Sequence, residues 1–138
     1  MAAATFRLEV ATPERQLINE AVTEASVPCE SGYIGVLPGH APLLGELGIG
    51  ELTYKLVSGQ SRTVGVHKGF VEVSGNYVRV LANNAEHPNE VDVARTELAL
   101  KRANERVMNP LPGVDIARAL NAMRRAKARL DLSNHASR

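Results

Sequence analysis

A chain of 138 residues with 44% hydrophobic and 22% charged side chains suits one folded domain with an appendage, or two small modules. It excludes both disorder and two full-sized domains. Sixteen Lys and Arg against fifteen Asp and Glu leave a formal net charge of +1, which excludes a general basic field for gripping nucleic acid.

Met1-Ala2-Ala3-Ala4-Thr5 lacks a basic segment followed by an apolar one, so no secretory signal is expected. No later run approaches the ~18 apolar residues of a membrane span, so no direct membrane insertion is expected. Phe6-Arg7-Leu8-Glu9-Val10 alternates apolar and polar side chains, the period of a half-buried strand. Thr23, Ala25 and Val27 repeat it around Glu24 and Ser26, predicting a second strand that ends at Pro28. Cys29, the lone cysteine, excludes an intramolecular disulfide and a cysteine-rich zinc site, and a reducing compartment is expected. Leu52-Thr53-Tyr54-Lys55-Leu56 alternates again into a turn at Ser58-Gly59-Gln60. Val64 and Val66 follow, then Val71 and Val73, a turn at Ser74-Gly75-Asn76, and a last strand from Val78-Arg79-Val80. Short strands at such intervals predict an antiparallel β-sandwich over residues 1–87.

Composition changes before Pro88. Residues 1–87 carry six basic and nine acidic side chains, and residues 88–138 carry ten and six. All five aromatics and ten of the eleven glycines precede the break, while Ala, Arg and Leu dominate after it. Asn89 is the expected N-cap of a first helix, with Asp92 in its first turn and Val93, Thr96, Ala99, Leu100, Ala103 and Val107 along one stripe. Asn109-Pro110-Leu111-Pro112-Gly113 breaks it. Ile116, Ala119, Leu120, Met123, Ala126 and Leu130 then define a second helix. The fold class is therefore α+β: an N-terminal antiparallel β-sandwich followed by a C-terminal antiparallel two-helix hairpin over residues 88–138. Its alanine-rich seam buries little area and predicts a movable element.

Chemistry is sparse. None of His40, His67, His87 and His135 stands at helical spacing from a second metal ligand, so no metal site is predicted. A Cys29–His40 nucleophile pair is outweighed by a buried structural thiol. The glycines of Gly45–Gly50 have the wrong order for a dinucleotide fingerprint, and Gly39-His40 does not continue as a phosphate-binding loop. No catalytic residues are assigned.

Two features stand out. Gly32–Leu44 mixes turn residues with Tyr33, Ile34, Val36, Leu37, Leu43 and Leu44. That pattern fits either a loop tucked into the core or a surface loop that meets a partner. Arg118, Arg125 and Arg129 share one face of the second helix, and Arg95, Arg102 and Arg106 repeat their spacing on the first. Solvated faces are the bland account. An acidic protein surface, or a polyphosphate held between the helices, is the functional one.

At these residues the chain resembles the epsilon subunits of F-type ATP synthases along nearly its whole length. The resemblance rests on Gly35-Val36-Leu37-Pro38-Gly39-His40-Ala41-Pro42-Leu43-Leu44, on Gly69-Phe70-Val71-Glu72-Val73, on Val80-Leu81-Ala82 with Ala85-Glu86, and on the Ala/Arg-rich helical pair. Lys68 stands where the family usually has a second glycine. The resemblance implies a non-catalytic rotor subunit of the central stalk, peripheral on the cytoplasmic face of the bacterial inner membrane. Its sandwich would bind the gamma subunit and the c-subunit ring, coupling proton-driven rotation to ATP synthesis, with Tyr33 and His40 as ring contacts. Its hairpin would inhibit ATP hydrolysis by placing the basic face of Arg118, Arg125 and Arg129 near the alpha and beta catalytic subunits. No resident cofactor is implied. ATP is a candidate regulatory ligand, because Val91-Asp92-Val93-Ala94-Arg95-Thr96 matches a family nucleotide motif at Asp92 and Arg95, with Val91 a conservative change. Arg125 and Arg129 supply its second-helix pair, and Thr96 replaces the motif's alanine. The alternative reading is a free-standing ATP-sensing regulatory protein.

Overall fold

The computed structural model describes residues 4–136. Met1–Ala3, at the segment inspected for a signal, and Ser137–Arg138, at the end of the helical part, lie outside the described residues. Contacts divide the chain into two units, Met1–His87 and Pro88–Arg138.

The first unit is all β. Its strands are β1 (Phe6–Ala11), β2 (Gln16–Cys29), β3 (Gly32–Val36), β4 (Leu43–Leu56), β5 (Ser61–Val73) and β6 (Tyr77–Glu86). They run in the order β1-β6-β5-β4-β2-β3, and β1 also pairs with β2. Five strands thus close into a ring, with β3 added along β2. Four of the ring's pairings are antiparallel, but β1 and β6 are parallel, from Arg7 opposite Tyr77 to Ala11 opposite Leu81. The antiparallel sandwich therefore holds with one exception, the β1–β6 pair, and parity is the reason. Five strands cannot alternate direction all the way around a closed ring, so one neighbouring pair must run the same way.

The core follows the alternation read from the sequence. Phe6, Leu8 and Val10 point inward from β1 and Ala25 and Val27 from β2, but a register shift between Val22 and Glu24 buries Val22 in place of Thr23. Further along, the inward phase changes within single strands. In β5 it passes from Val64 and Val66 to Val71 and Val73, in β4 from Leu47 to Leu52 and Tyr54, and in β6 from Val78, Val80 and Ala82 to Ala85. The changes flank one row, where Lys68 (φ 60°) and Gly69 (φ 130°) break the extended backbone of β5. The register across β4, β5 and β6 is unchanged on either side of that row. The sheet therefore bends there as a whole and carries its strands around a corner of the sandwich. Gly69 is obligatory at this bend, because a Cβ would fall inside the contact distance of Leu81 O and lie 2.9 Å from Ala82 Cα. Lys68, in the region glycine occupies freely, pairs its ammonium with Glu30.

The second unit starts with a 3-10 turn, Pro88–Glu90, followed by α1 (Val93–Met108) and α2 (Ile116–Ser133). Asp92 rather than Asn89 caps α1, its Oδ1 accepting from Arg95 N–H at 3.1 Å; Asn89 is absorbed in the turn that Pro88 opens. Asp115 caps α2 in the same way, accepting from Arg118 N–H at 3.1 Å. The predicted stripes supply the seam through their smallest members. Thr96 and Ala103 of α1 and Ala119 and Ala126 of α2 are buried, while Val93, Ile116 and Leu120 stay exposed. Leu132, outside the predicted stripe, is only 1% exposed.

Candidate functional site

The Gly32–Leu44 segment divides between its two readings. Gly32–Val36 is a true strand, paired with β2 from Cys29 to Ala25, and it sends Val36 into the core with Ile34 packed partly against it. Its outward residues remain uncovered: Tyr33 is 61% exposed, Leu37 60% and Leu44 75%. Tyr33 is nonetheless fixed. Its hydroxyl accepts from Glu51 N–H at 3.2 Å, and its ring end lies over Gly50, where a Cβ would come within 2.7 Å of the hydroxyl. The cradle for this tyrosine is thus a glycine and an amide of β4.

At the tip, Leu37 O accepts from His40 N–H at 3.1 Å, and the His40 Nδ1–H donates to Ala41 O at 2.7 Å. Between β2, β3 and β4 an open cleft of about 470 Å3 is walled by Ser26, Val36, Leu37, Thr53 and Tyr54. Glu24 and Lys55 also line it and pair with each other at 3.2 Å. Cys29 is half-buried, and burial pushes its thiol pKa up, which favours the inert, protonated form. No group of metal-ligating side chains occurs among the described residues.

A second exposed set joins Leu44 to two residues that the sequence reading did not place on a surface. Phe70 of β5 and Leu81 of β6 are cross-strand partners, both more than half exposed, and Leu44 of β4 lies diagonal to Phe70. The next row is ionic. Glu72 accepts from the Tyr77 hydroxyl at 2.8 Å, and Arg79 binds Glu9 at 2.9 Å and Glu72 at 3.6 Å. Burying Val71 and Val73 obliges Phe70 to face outward, so the alternation held the signal.

In the helical unit, Asp92 is committed to its cap, and Thr96 is buried with its hydroxyl donating to Asp92 O at 2.7 Å. Val91 is half-buried, Arg95 exposed and Arg129 half-buried. Arg125 lines a cleft with Arg118 of its own helix and Arg106 of the other. Residues of both arginine stripes therefore line one cleft.

Comparison with known proteins covers both units. Residues 5–88 match the family model of the ATP synthase delta/epsilon chain β-sandwich domain, and residues 89–134 that of its long α-helix domain. The chain is 57% identical over 126 residues to the ATP synthase epsilon chain of Solibacter usitatus, covering 91% of this chain and 93% of the relative. It is 41% identical over 133 residues to that of Syntrophomonas wolfei, covering 96% and 97%. Among solved structures, a chain of the Euglena gracilis mitochondrial ATP synthase superposes with a TM-score of 0.82 at 23% identity, covering 98% of this chain and 84% of that one. That similarity speaks to the fold.

Proposed function

The chain belongs to the ATP synthase delta/epsilon chain family, and on that premise we propose that it is a non-catalytic rotor subunit of the central stalk. The observation that carries the reading is the division of labour in the structure. A sandwich with a filled interior presents Tyr33, Leu37, Leu44, Phe70 and Leu81 to the outside, and a separate hairpin carries the basic excess. Monomeric surfaces seldom leave such apolar groups clustered without a partner.

The sandwich binds the gamma subunit and the c-subunit ring, with Tyr33 and His40 on the ring side, and so couples proton-driven rotation to ATP synthesis. The hairpin restrains ATP hydrolysis through Arg118, Arg125 and Arg129 set against acidic segments of the alpha and beta subunits. ATP, engaged by Val91, Asp92, Arg95, Arg125 and Arg129, stabilises whichever hairpin state it binds. The protein sits peripherally on the cytoplasmic face of the bacterial membrane, held by the complex; no helix among the described residues is long and apolar enough to cross a membrane.

Truncation after Glu86 tests this. The truncated protein should still capture gamma in a pull-down, and enzyme rebuilt with it should hydrolyse ATP faster than enzyme holding the full chain. Loss of gamma capture would overturn the assignment of that task to the sandwich.

A further inference from the structure

Lys68 is the one residue other than glycine with a positive φ among the described residues. That conformation presses a Cβ against the following carbonyl oxygen, and glycine alone adopts it freely. Backbone preference therefore argues against a lysine here. Stability offers no better account, because its pair with Glu30 is partly exposed and such pairs contribute little. What distinguishes the pair is its reach, from the corner in β5 to a residue 38 positions earlier.

Glu30 and Ser31 form the turn between β2 and β3. The turn docks on β4 through the Glu30 N–H, which donates to Glu46 O at 3.0 Å. Docking brings two glutamates to one place. Glu30, Glu46, Lys68, Phe70 and Asn83 line a hollow of about 190 Å3, and Lys68 is the only cation in its lining. Like charges on neighbouring strands destabilise their pairing, so the two carboxylates oppose docking unless a cation offsets them. The β2–β3 ladder gives limited help at this end, because Pro28, opposite Tyr33, has no N–H to contribute.

We propose that Lys68 is a positioning residue: it holds the β2–β3 turn on β4 and thereby seats Tyr33 for its partner. Tyr33 follows the turn directly after Gly32, and its hydroxyl accepts from Glu51 N–H at 3.2 Å. A turn that lifts from β4 carries Tyr33 away from that seat. The consequence for the c-subunit ring rests on the reading of Tyr33 as a ring contact.

Amide hydrogen exchange in the full chain tests the positioning. Lys68→Gln, Lys68→Arg and Glu30→Gln are compared, and both changes at position 68 keep an L side chain at the same φ. In Lys68→Gln the Glu30 and Glu51 amides should exchange about two- to fivefold faster, the range expected of a partly exposed pair. The Val64 and Val80 amides should keep their wild-type rates, and Lys68→Arg should restore those of Glu30 and Glu51. Added sodium chloride should slow Glu30 exchange in Lys68→Gln, where it screens repulsion, and speed it in wild type, where it screens attraction. In a Glu30→Gln background, Lys68→Gln should add nothing.

Affinity for a detergent-solubilised rotor of gamma and c ring gives the second readout. Lys68→Gln should weaken it about two- to fivefold, and Tyr33→Ala about tenfold or more, as loss of an aromatic anchor does. Unchanged Glu30 exchange in Lys68→Gln, or equal acceleration in Lys68→Arg, would overturn the positioning whatever the rotor shows. Faster exchange with full rotor affinity in Lys68→Gln, while Tyr33→Ala releases the rotor, would overturn the service to Tyr33. Wild-type affinity in Tyr33→Ala would refute the ring contact itself, and the exchange rates would still decide for or against the turn.

Discussion

Gly69→Ala probes the corner at which β4, β5 and β6 change their inward faces. The new Cβ would lie 2.9 Å from Ala82 Cα and closer still to Leu81 O. Carbon pairs are comfortable at about 3.5–4.0 Å, so β6 must retreat by at least about 0.6 Å, or Gly69 must abandon its φ. Retreat strains the ladder where Gly69 faces Ala82, and losing two of its hydrogen bonds costs about 2 kcal/mol. Holding φ at positive values adds about 1–2 kcal/mol for an L side chain. The expected loss is therefore about 3 kcal/mol, a large share of the ~5–15 kcal/mol that stabilises a domain. Urea unfolding of the full chain, followed by Tyr fluorescence from the sandwich, measures it. A loss below about 1 kcal/mol would show that the bend relaxes around a methyl group and would refute the close-approach argument.

The neighbouring substitution should behave differently. Lys68→Gly relieves the positive φ but surrenders the exposed pair with Glu30 and adds chain entropy, so urea midpoints should move by less than the equivalent of about 1 kcal/mol. Gly50→Ala should expel the Tyr33 hydroxyl from its cradle. The Tyr33 ring signals would shift and Glu51 amide exchange would accelerate, while a rate equal to wild type would mean that the bond does not protect that amide. Asp115→Ala should cost the hairpin about 1 kcal/mol, read as earlier loss of helical circular dichroism on heating; an unchanged melt would count against the cap. Burial raises the Cys29 pKa, so its thiolate fraction at pH 8 lies below that of a free cysteine. Iodoacetamide should then alkylate the native chain several-fold more slowly than the urea-unfolded chain, and equal rates would deny the shift.

Much of this fold was legible in the sequence because period-two alternation is dictated by which side chains must leave water. Phe6, Leu8 and Val10, or Val78 and Val80, could face only one way. The parallel β1–β6 pair was not legible, since it follows from the number of strands in the ring and no local residue encodes it. The corner was half visible. Val66 and Val71 are five residues apart, and no regular strand can bury both, but only the positive φ of Lys68 and Gly69 shows how the phase is reset. Asn89 and Asp92 are comparable caps by residue type, and the turn opened by Pro88 decided between them. At the site level, the arginine spacings placed each stripe on one helix face. Their meeting in one cleft depends on the Asn109–Asp115 connection, whose geometry, including Gly113 at φ 87°, spacing alone does not determine.

The parallel seam also sets a timetable for synthesis. Arg79 binds Glu9 across it, joining residues 70 positions apart. A chain emerging from the ribosome can form its β2–β5 neighbours early, yet the ring stays open, with Val10 and Val27 exposed to water, until Leu81 is out. The helical hairpin needs only contacts made after Pro88 and can form as soon as it emerges. A transcript or ribosome halted before Tyr77 would thus release an unclosed, aggregation-prone sandwich, whereas one halted after Glu86 would release a finished one.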